Sequence, residues 1–215
     1  MTSRDEGLTL DERIIYFQVD AFTEHLFEGN PAGVCLLTQA LDDDLLLKMA
    51  GEHHLAETAF IECVNGQLHL RWFTPELEMD LCGHATLAAA HVILSEPTAY
   101  EWLLAYGLSM HDQVVFQTQS GPLTVIRSGQ SYVLDFPSRP ARMLQNWRTD
   151  QKILTIVEAL GVTPLEVWRS RDVLCVYDDP MVVTQLTPDP IRLGGVDLGT
   201  GGVIVTAPGN VNRLN

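Results

Sequence analysis

The stretch Glu76–Leu94 reads E-L-E-M-D-L-C-G-H-A-T-L-A-A-A-H-V-I-L, and the rest of the chain is arranged around it. From Leu81 onward nearly every side chain is apolar or small, and Ala85, Ala88, Ala89 and Ala90 fall on several faces of a helix. A helix that is apolar all round is enclosed by protein, so the pattern predicts a central core helix over residues 81–94. Its start is polar in a different way. Asp80 is a candidate cap, Gly83 leaves room for close approach to the backbone, and His84 sits in the first turn. The first N–H groups of a helix lack internal partners and carry the positive end of its dipole, which makes a buried start a seat for a carboxylate.

Composition excludes several classes of function. The 215 residues are 46% hydrophobic, enough to bury a sizeable core in one large domain or two small ones. Asp and Glu number 28 against 13 Lys and Arg, and a formal charge of -15 is the wrong sign for nucleic acid or an anionic membrane surface. No apolar run approaches the length of a membrane span, and Met1–Arg13 is polar and acidic, unlike a signal peptide, so a cytoplasmic location is expected. Cys35, Cys63, Cys82 and Cys175 lack the close spacing of a zinc or redox pair. Adjacent histidines in Glu52-His53-His54 would point in different directions on a helix and H-E-x-x-H is absent, so no metal is expected.

Working outward, residues 1–12 form a polar lead-in and Ile14–Phe22 has the β-branched and aromatic content of a strand. Glu28-Gly29-Asn30-Pro31 reads as a turn before a strand at Ala32–Leu37. Asp42, Asp43 and Asp44 suit a helix start, followed by Leu45, Leu46, Met49 and His53 at helical spacing. Ala59–Val64 and Leu68–Phe73 read as a hairpin about Gly66, which puts Glu57 where a helix hands over to a strand. Strands are expected at Val114–Gln119, Leu123–Arg127 and Tyr132–Phe136, and the proline-bearing stretch Pro137–Pro140 divides the chain into domains 1–138 and 139–215. A helix at Lys152–Leu160 capped by Gly161 and strands at Glu166–Ser170, Val173–Tyr177 and Val203–Ala207 complete the second part. That part repeats a strand, helix, strand order without an apolar helix of its own, which would leave a sheet face open. The end, Pro208–Asn215, has neither a cap nor an apolar stripe.

Taken together these segments resemble the PhzF-like family, the phenazine-biosynthesis isomerases and their relatives within the diaminopimelate epimerase fold. The matching stretches are V-D-A-F-T at Val19–Thr23, G-N-P-A at Gly29–Ala32, E-T-A-F at Glu57–Phe60, R-W-F-T-P at Arg71–Pro75 and L-C-G-H-A-T at Leu81–Thr86. S-G-P-L-T-V at Ser120–Val125, L-D-F-P at Leu134–Pro137 and G-V-I-V-T-A at Gly202–Ala207 follow in the same order. The resemblance implies an α+β fold of two pseudo-symmetric halves, each a curved, mostly antiparallel sheet rolled around a central helix, with the active site in the cleft between them. It implies homodimers, no metal and no organic cofactor. It implies Glu57 as the residue that moves a proton, with Gly83 and His84 in the substrate site; Asn30 on the G-N-P turn is a further polar candidate. Relatives commonly carry serine where Ala56 stands. They also continue into an E-D-P-V-T-G-S-A-like turn and a second central helix that do not occur before Asn215, so the second half is expected to be incomplete.

The chemistry expected is a cofactor-independent isomerisation of a small carboxylic acid. Glu57 would take a proton from carbon and return it elsewhere, while His84 and the helix-start amides hold the acid or shuttle the proton. Two other readings stand beside it. Cys82 sits just before the glycine at the helix start, where related epimerases keep a thiol, which opens a two-base cysteine mechanism. The other is a binding protein or remnant without activity.

Overall fold

The computed structural model describes residues 14–25, 27–199 and 201–209; the lead-in over 1–12 and the end over 210–215 lie outside them. The chain separates into two compact units, Met1–Pro137 and Ser138–Asn215.

In the first unit β1 (Ile15–Ala21) and β2 (Asn30–Leu37) pair antiparallel. Gly29 turns the chain between them at φ 77°, and a Cβ there would run into the Ala21 carbonyl, so only glycine fits. Asn30 and Pro31, expected in the turn, are instead the first residues of β2, the strand position where proline is tolerated. Helix α1 (Asp43–His53) is capped by Asp42, whose side chain accepts from the Leu45 N–H, and it ends at His54 in the left-handed conformation. β3 (Glu57–Val64) then runs parallel to β2 and forms a hairpin with β4 (Gln67–Phe73). Asn65 and Gly66 at the hairpin's tip both have positive φ, as a two-residue turn matched to strand twist demands.

After the short β5 (Glu78–Met79) comes α2 (Gly83–Ser95), which starts two residues later than the composition alone suggests. Its N-cap is Cys82, with no side-chain cap hydrogen bond. Asp80 is therefore not the cap; it stands two residues before the N-cap position. α3 (Pro97–Ala105), absent from the sequence expectation, follows with Pro97 in its first turn. β6 (Gln113–Thr118), β7 (Gly121–Ser128) and β8 (Ser131–Asp135) complete the sheet in the order β1-β2-β3-β4-β6-β7-β8, with β5 beside β4.

Helix α2 touches β1, β2, β3, β6 and β7, strands from both sides of that order, so the sheet curls around it. Ala85, Ala88, Ala89, Ala90, Val92 and Ile93 are buried, while Gly83, Leu87 and His91, spaced by four, form the one half-buried stripe. Small side chains let the strands come close from several directions, and Trp72, Phe116, Leu36 and Ile61 fill the space between. Each fully buried side chain of this size is worth about 1.5–3 kcal/mol.

The second unit holds β9 (Arg142–Met143), a 3-10 turn at Trp147–Thr149, α4 (Gln151–Leu160), β10 (Glu166–Arg169), β11 (Val173–Val176), α5 (Pro180–Gln185), α6 (Pro190–Gly194) and β12 (Val203–Thr206). The sheet order is β12-β11-β10-β9, with β12 parallel to β11. Asp150 caps α4 and Gly161 ends it at φ 78°. Ile153, Ile156, Val157 and Leu160 of α4 pack on Val167, Val173, Cys175 and Tyr177, so an amphipathic helix covers this sheet on one face. Among the described residues of this unit there is no counterpart of the all-apolar α2. No helix of the described residues is long and apolar enough to cross a membrane.

Candidate active site

Strand alternation fixes the site at the first residue of β3. Thr58 faces α1, where its Oγ1 lies 2.9 Å from His53 Nδ1 and the His53 ring stacks on Tyr16. Gly33, paired with Thr58, makes this packing possible, since a Cβ there would stand 3.0 Å from the Thr58 hydroxyl. Glu57 consequently points the other way, toward α2. Its side chain is only 16% exposed, so it is not a solvated junction carboxylate.

Three groups meet there. Glu57 Oε2 is 3.4 Å from His84 Nε2, and Cys82 Sγ is 3.5 Å from His84 Nδ1. One ligating atom from each of Glu57, Cys82 and His84 falls within 4.8 Å of the others. The Nε2 nitrogen is buried and makes no hydrogen bond among the described residues, because the Glu57 oxygen is near but off the axis of the ring nitrogen. Burial pushes the His84 ring below its ordinary value, while the Glu57 carboxylate and the Pro31 carbonyl pull the other way. Burial is the larger influence, so the contact at neutral pH joins a carboxylate to a neutral imidazole and is no full ion pair. A neutral imidazole holds one N–H and one lone pair, the equipment for relaying a proton.

The α2 start completes the geometry. Cys82 offers no side-chain cap, leaving the leading amides of Gly83 and His84 without that acceptor. A Cβ at Gly83 would stand 3.2 Å from Phe136 Cε2, so the close approach this glycine allows is made by the Phe136 ring of the same unit. Asn30 opens β2, two residues before the Ala32 that pairs with Glu57, and so sits at the same end of the sheet. No hydrogen bond ties its side chain to Glu57 or His84. The structure thus brings Glu57, Gly83 and His84 together, adds Cys82, and leaves Asn30 beside the cluster. Cys82 joins through its place as N-cap; the short L-C-G-H spacing was the signal available in sequence.

Two hollows of the first unit lie elsewhere. One of about 410 Å³ is lined by Leu94, Ser95, Met110 and Arg127 at the far end of α2. Another of about 580 Å³ is lined by Gln67, Met110, Gln113 and Gln117. The Arg127 guanidinium is already engaged by the Leu94 carbonyl and the Ser95 hydroxyl; His111 and Asp112 line both hollows, but the convergent set of three groups found among the described residues is Glu57, Cys82 and His84. Hollow volume alone does not mark a reaction site; convergent chemistry does.

Relatives carry the same reading of the fold. A protein of Pseudomonas aeruginosa named an uncharacterized isomerase is 44% identical over 192 residues, covering 89% of this chain and 67% of its own. Another protein named an uncharacterized isomerase, from Halalkalibacterium halodurans, is 38% identical and covers 89% of this chain and 66% of its own. The crystal structure of a phenazine biosynthesis protein of the PhzF family from Enterococcus faecalis superposes with a TM-score of 0.68 at 38% identity, covering 91% of this chain and 69% of that one. The chain therefore spans about two thirds of the length of each. The architecture is that of the diaminopimelate epimerase-like α+β proteins. The family model described as phenazine biosynthesis-like protein matches residues 19–211, and with that span this chain belongs to the phenazine biosynthesis-like, or PhzF, family.

Proposed function

We propose that the protein is an isomerase that moves a proton on a small carboxylic acid, with Glu57 as the proton carrier and without a cofactor. The observation that carries this reading is the largely buried Glu57 carboxylate standing 3.4 Å from a neutral His84 at the start of α2. The relatives named isomerases support the reaction class. The substrate carboxylate would lie against the leading amides of α2, where the dipole and N–H groups that have no acceptor within the helix favour an anion. Glu57 would take a proton from a carbon next to an electron-withdrawing group. The electron pair left on carbon would delocalise into that group, and Glu57, now protonated, would return the proton to a second carbon. His84, one N–H and one lone pair available, would relay the proton or donate to the developing charge.

The test is exchange in deuterated water with a panel of small acids bearing an activated C–H, dihydro-hydroxyanthranilate among them. Wild type should wash deuterium into one of them, and Glu57→Gln should slow this by about 10²–10⁴-fold, the usual contribution of a positioned acid-base group. Full activity in Glu57→Gln would remove Glu57 from the role. No exchange by wild type with any acid would favour a binding protein.

The position of Cys82 beside His84 favours one second reading, a two-base cysteine epimerase. It needs another thiol, and Cys175 is a poor one: it is buried in the core of the second unit, where burial pushes its pKa up to about 11. Activity lost in Cys82→Ala and kept in Glu57→Gln would reverse the ranking.

A further inference from the structure

Glu57, Cys82 and His84 are placed as a convergent set. If the thiol and the carboxylate stood at opposite ends of the imidazole, each along its own ring nitrogen, they would be farther apart than the observed 4.8 Å ceiling allows. They approach from one side instead. His84 Nε2 is in addition a polar atom inside a side chain only 9% exposed, and it makes no hydrogen bond among the described residues. A buried ring nitrogen without a hydrogen-bond partner, with a thiol and a carboxylate within reach of the same imidazole, supplies the donors of a ligand set.

We propose that Glu57, Cys82 and His84 form a binding site for a thiophilic divalent metal ion of the zinc class. Thiolate sulfur, imidazole nitrogen and carboxylate oxygen are the three donor types zinc takes, at roughly 2.3, 2.0–2.1 and 2.0–2.2 Å. Bonds of that length to one tetrahedral ion set neighbouring donors roughly 3.3–3.6 Å apart. The 3.4 Å contact of Nε2 with Glu57 already has this spacing; the thiol stands 3.5 Å from the other ring nitrogen, Nδ1, and rotamer-scale turns of Cys82 and of the imidazole are needed to bring the three donors, already within 4.8 Å of one another, to that spacing about one ion. One ring nitrogen serves the ion, and Nε2 is the one in need of a partner. Binding exchanges the Cys82 S–H proton to solvent, and the thiolate, carboxylate and imidazole each donate a lone pair without any change of oxidation state. Two anionic ligands balance the dication, the condition for placing charge in a buried spot. Three protein ligands leave the fourth position open to water or another small ligand.

The site stands on geometry and does not depend on the isomerase reading, but the two exclude each other in use, since the ion takes the lone pairs that proton transfer requires. Zinc would then act as an inhibitor.

The chelator-treated 215-residue chain titrated with Co²⁺ should develop a thiolate-to-cobalt charge-transfer band together with tetrahedral d–d bands, saturating at one equivalent and reversed by Zn²⁺. Cys82→Ser should abolish the thiolate band, and Glu57→Gln should weaken Zn²⁺ binding at least about tenfold, with the far-UV circular dichroism of both unchanged. Absence of stoichiometric binding in wild type overturns the site, as does a thiolate band that survives Cys82→Ser. Because binding is read without substrate, either result leaves the deuterium-exchange test of Glu57 intact.

Discussion

His53, on the far side of β3 from the cluster, holds the strand by which Glu57 is aimed. Its ring is hydrogen-bonded to Thr58 and kept below its ordinary value of 6.5 by burial. Unfolding releases the ring, so between the depressed folded value and 6.5 the unfolded chain binds more protons and stability rises with pH. This contribution is fully present above the unfolded value and is lost as pH falls toward the folded one. The urea midpoint should therefore drop between about pH 7 and about pH 5, and the drop should shrink in His53→Gln. An equal drop in the variant would assign the effect to other groups. Gly83 makes a second, steric case. A methyl there meets the Phe136 ring at 3.2 Å, so Gly83→Ala should cost about 1 kcal/mol by overpacking, and Phe136→Leu in the same chain should recover most of it. Denaturant unfolding of the two single variants and the double variant measures the coupling.

At the scale of elements, α2 was legible because its composition alone dictates its surroundings: alanines on several faces, with apolar residues on most of the rest, have no stable place except inside a closely wrapped sheet. Ala89→Leu, at a position with no exposure, should then lose about 1–3 kcal/mol, whereas Leu87→Met on the half-buried stripe should lose under about 1.5 kcal/mol. Comparable losses at both positions would mean that the helix is not wrapped as described. α3 was missed because Tyr100, Glu101 and Trp102 mix polar and aromatic residues without a clean stripe, and only Pro97 at its start marks it. The Asp179-Pro180 and Asp189-Pro190 starts of α5 and α6 carried a readable cap followed by an N1 proline, but helices of 6 and 5 residues leave too little periodicity to detect. Within the site, Glu57 and His84 were legible through family resemblance. Their convergence with Cys82 was not, because it depends on the curl of the sheet, which brings the start of β3 against the start of α2. No local pattern encodes a contact between positions so far apart in sequence.

For the molecule as a whole, the charge of -15 sets a condition on any reaction with an acid. A substrate that enters as an anion approaches a like-charged particle, and only the local field at the α2 start, which fades within the first turn, favours its arrival. Added salt screens exposed charges beyond about 10 Å at 0.1 M and leaves close contacts at a buried helix start much less affected. The long-range repulsion is thus weakened more than the short-range attraction. The value of kcat/KM for the acid should rise as ionic strength increases through this range, while the same substrate class presented as a neutral amide should show no such rise. A kcat/KM that falls with salt for the acid would mean that a positive local field dominates the approach, and the net charge would then not govern the encounter.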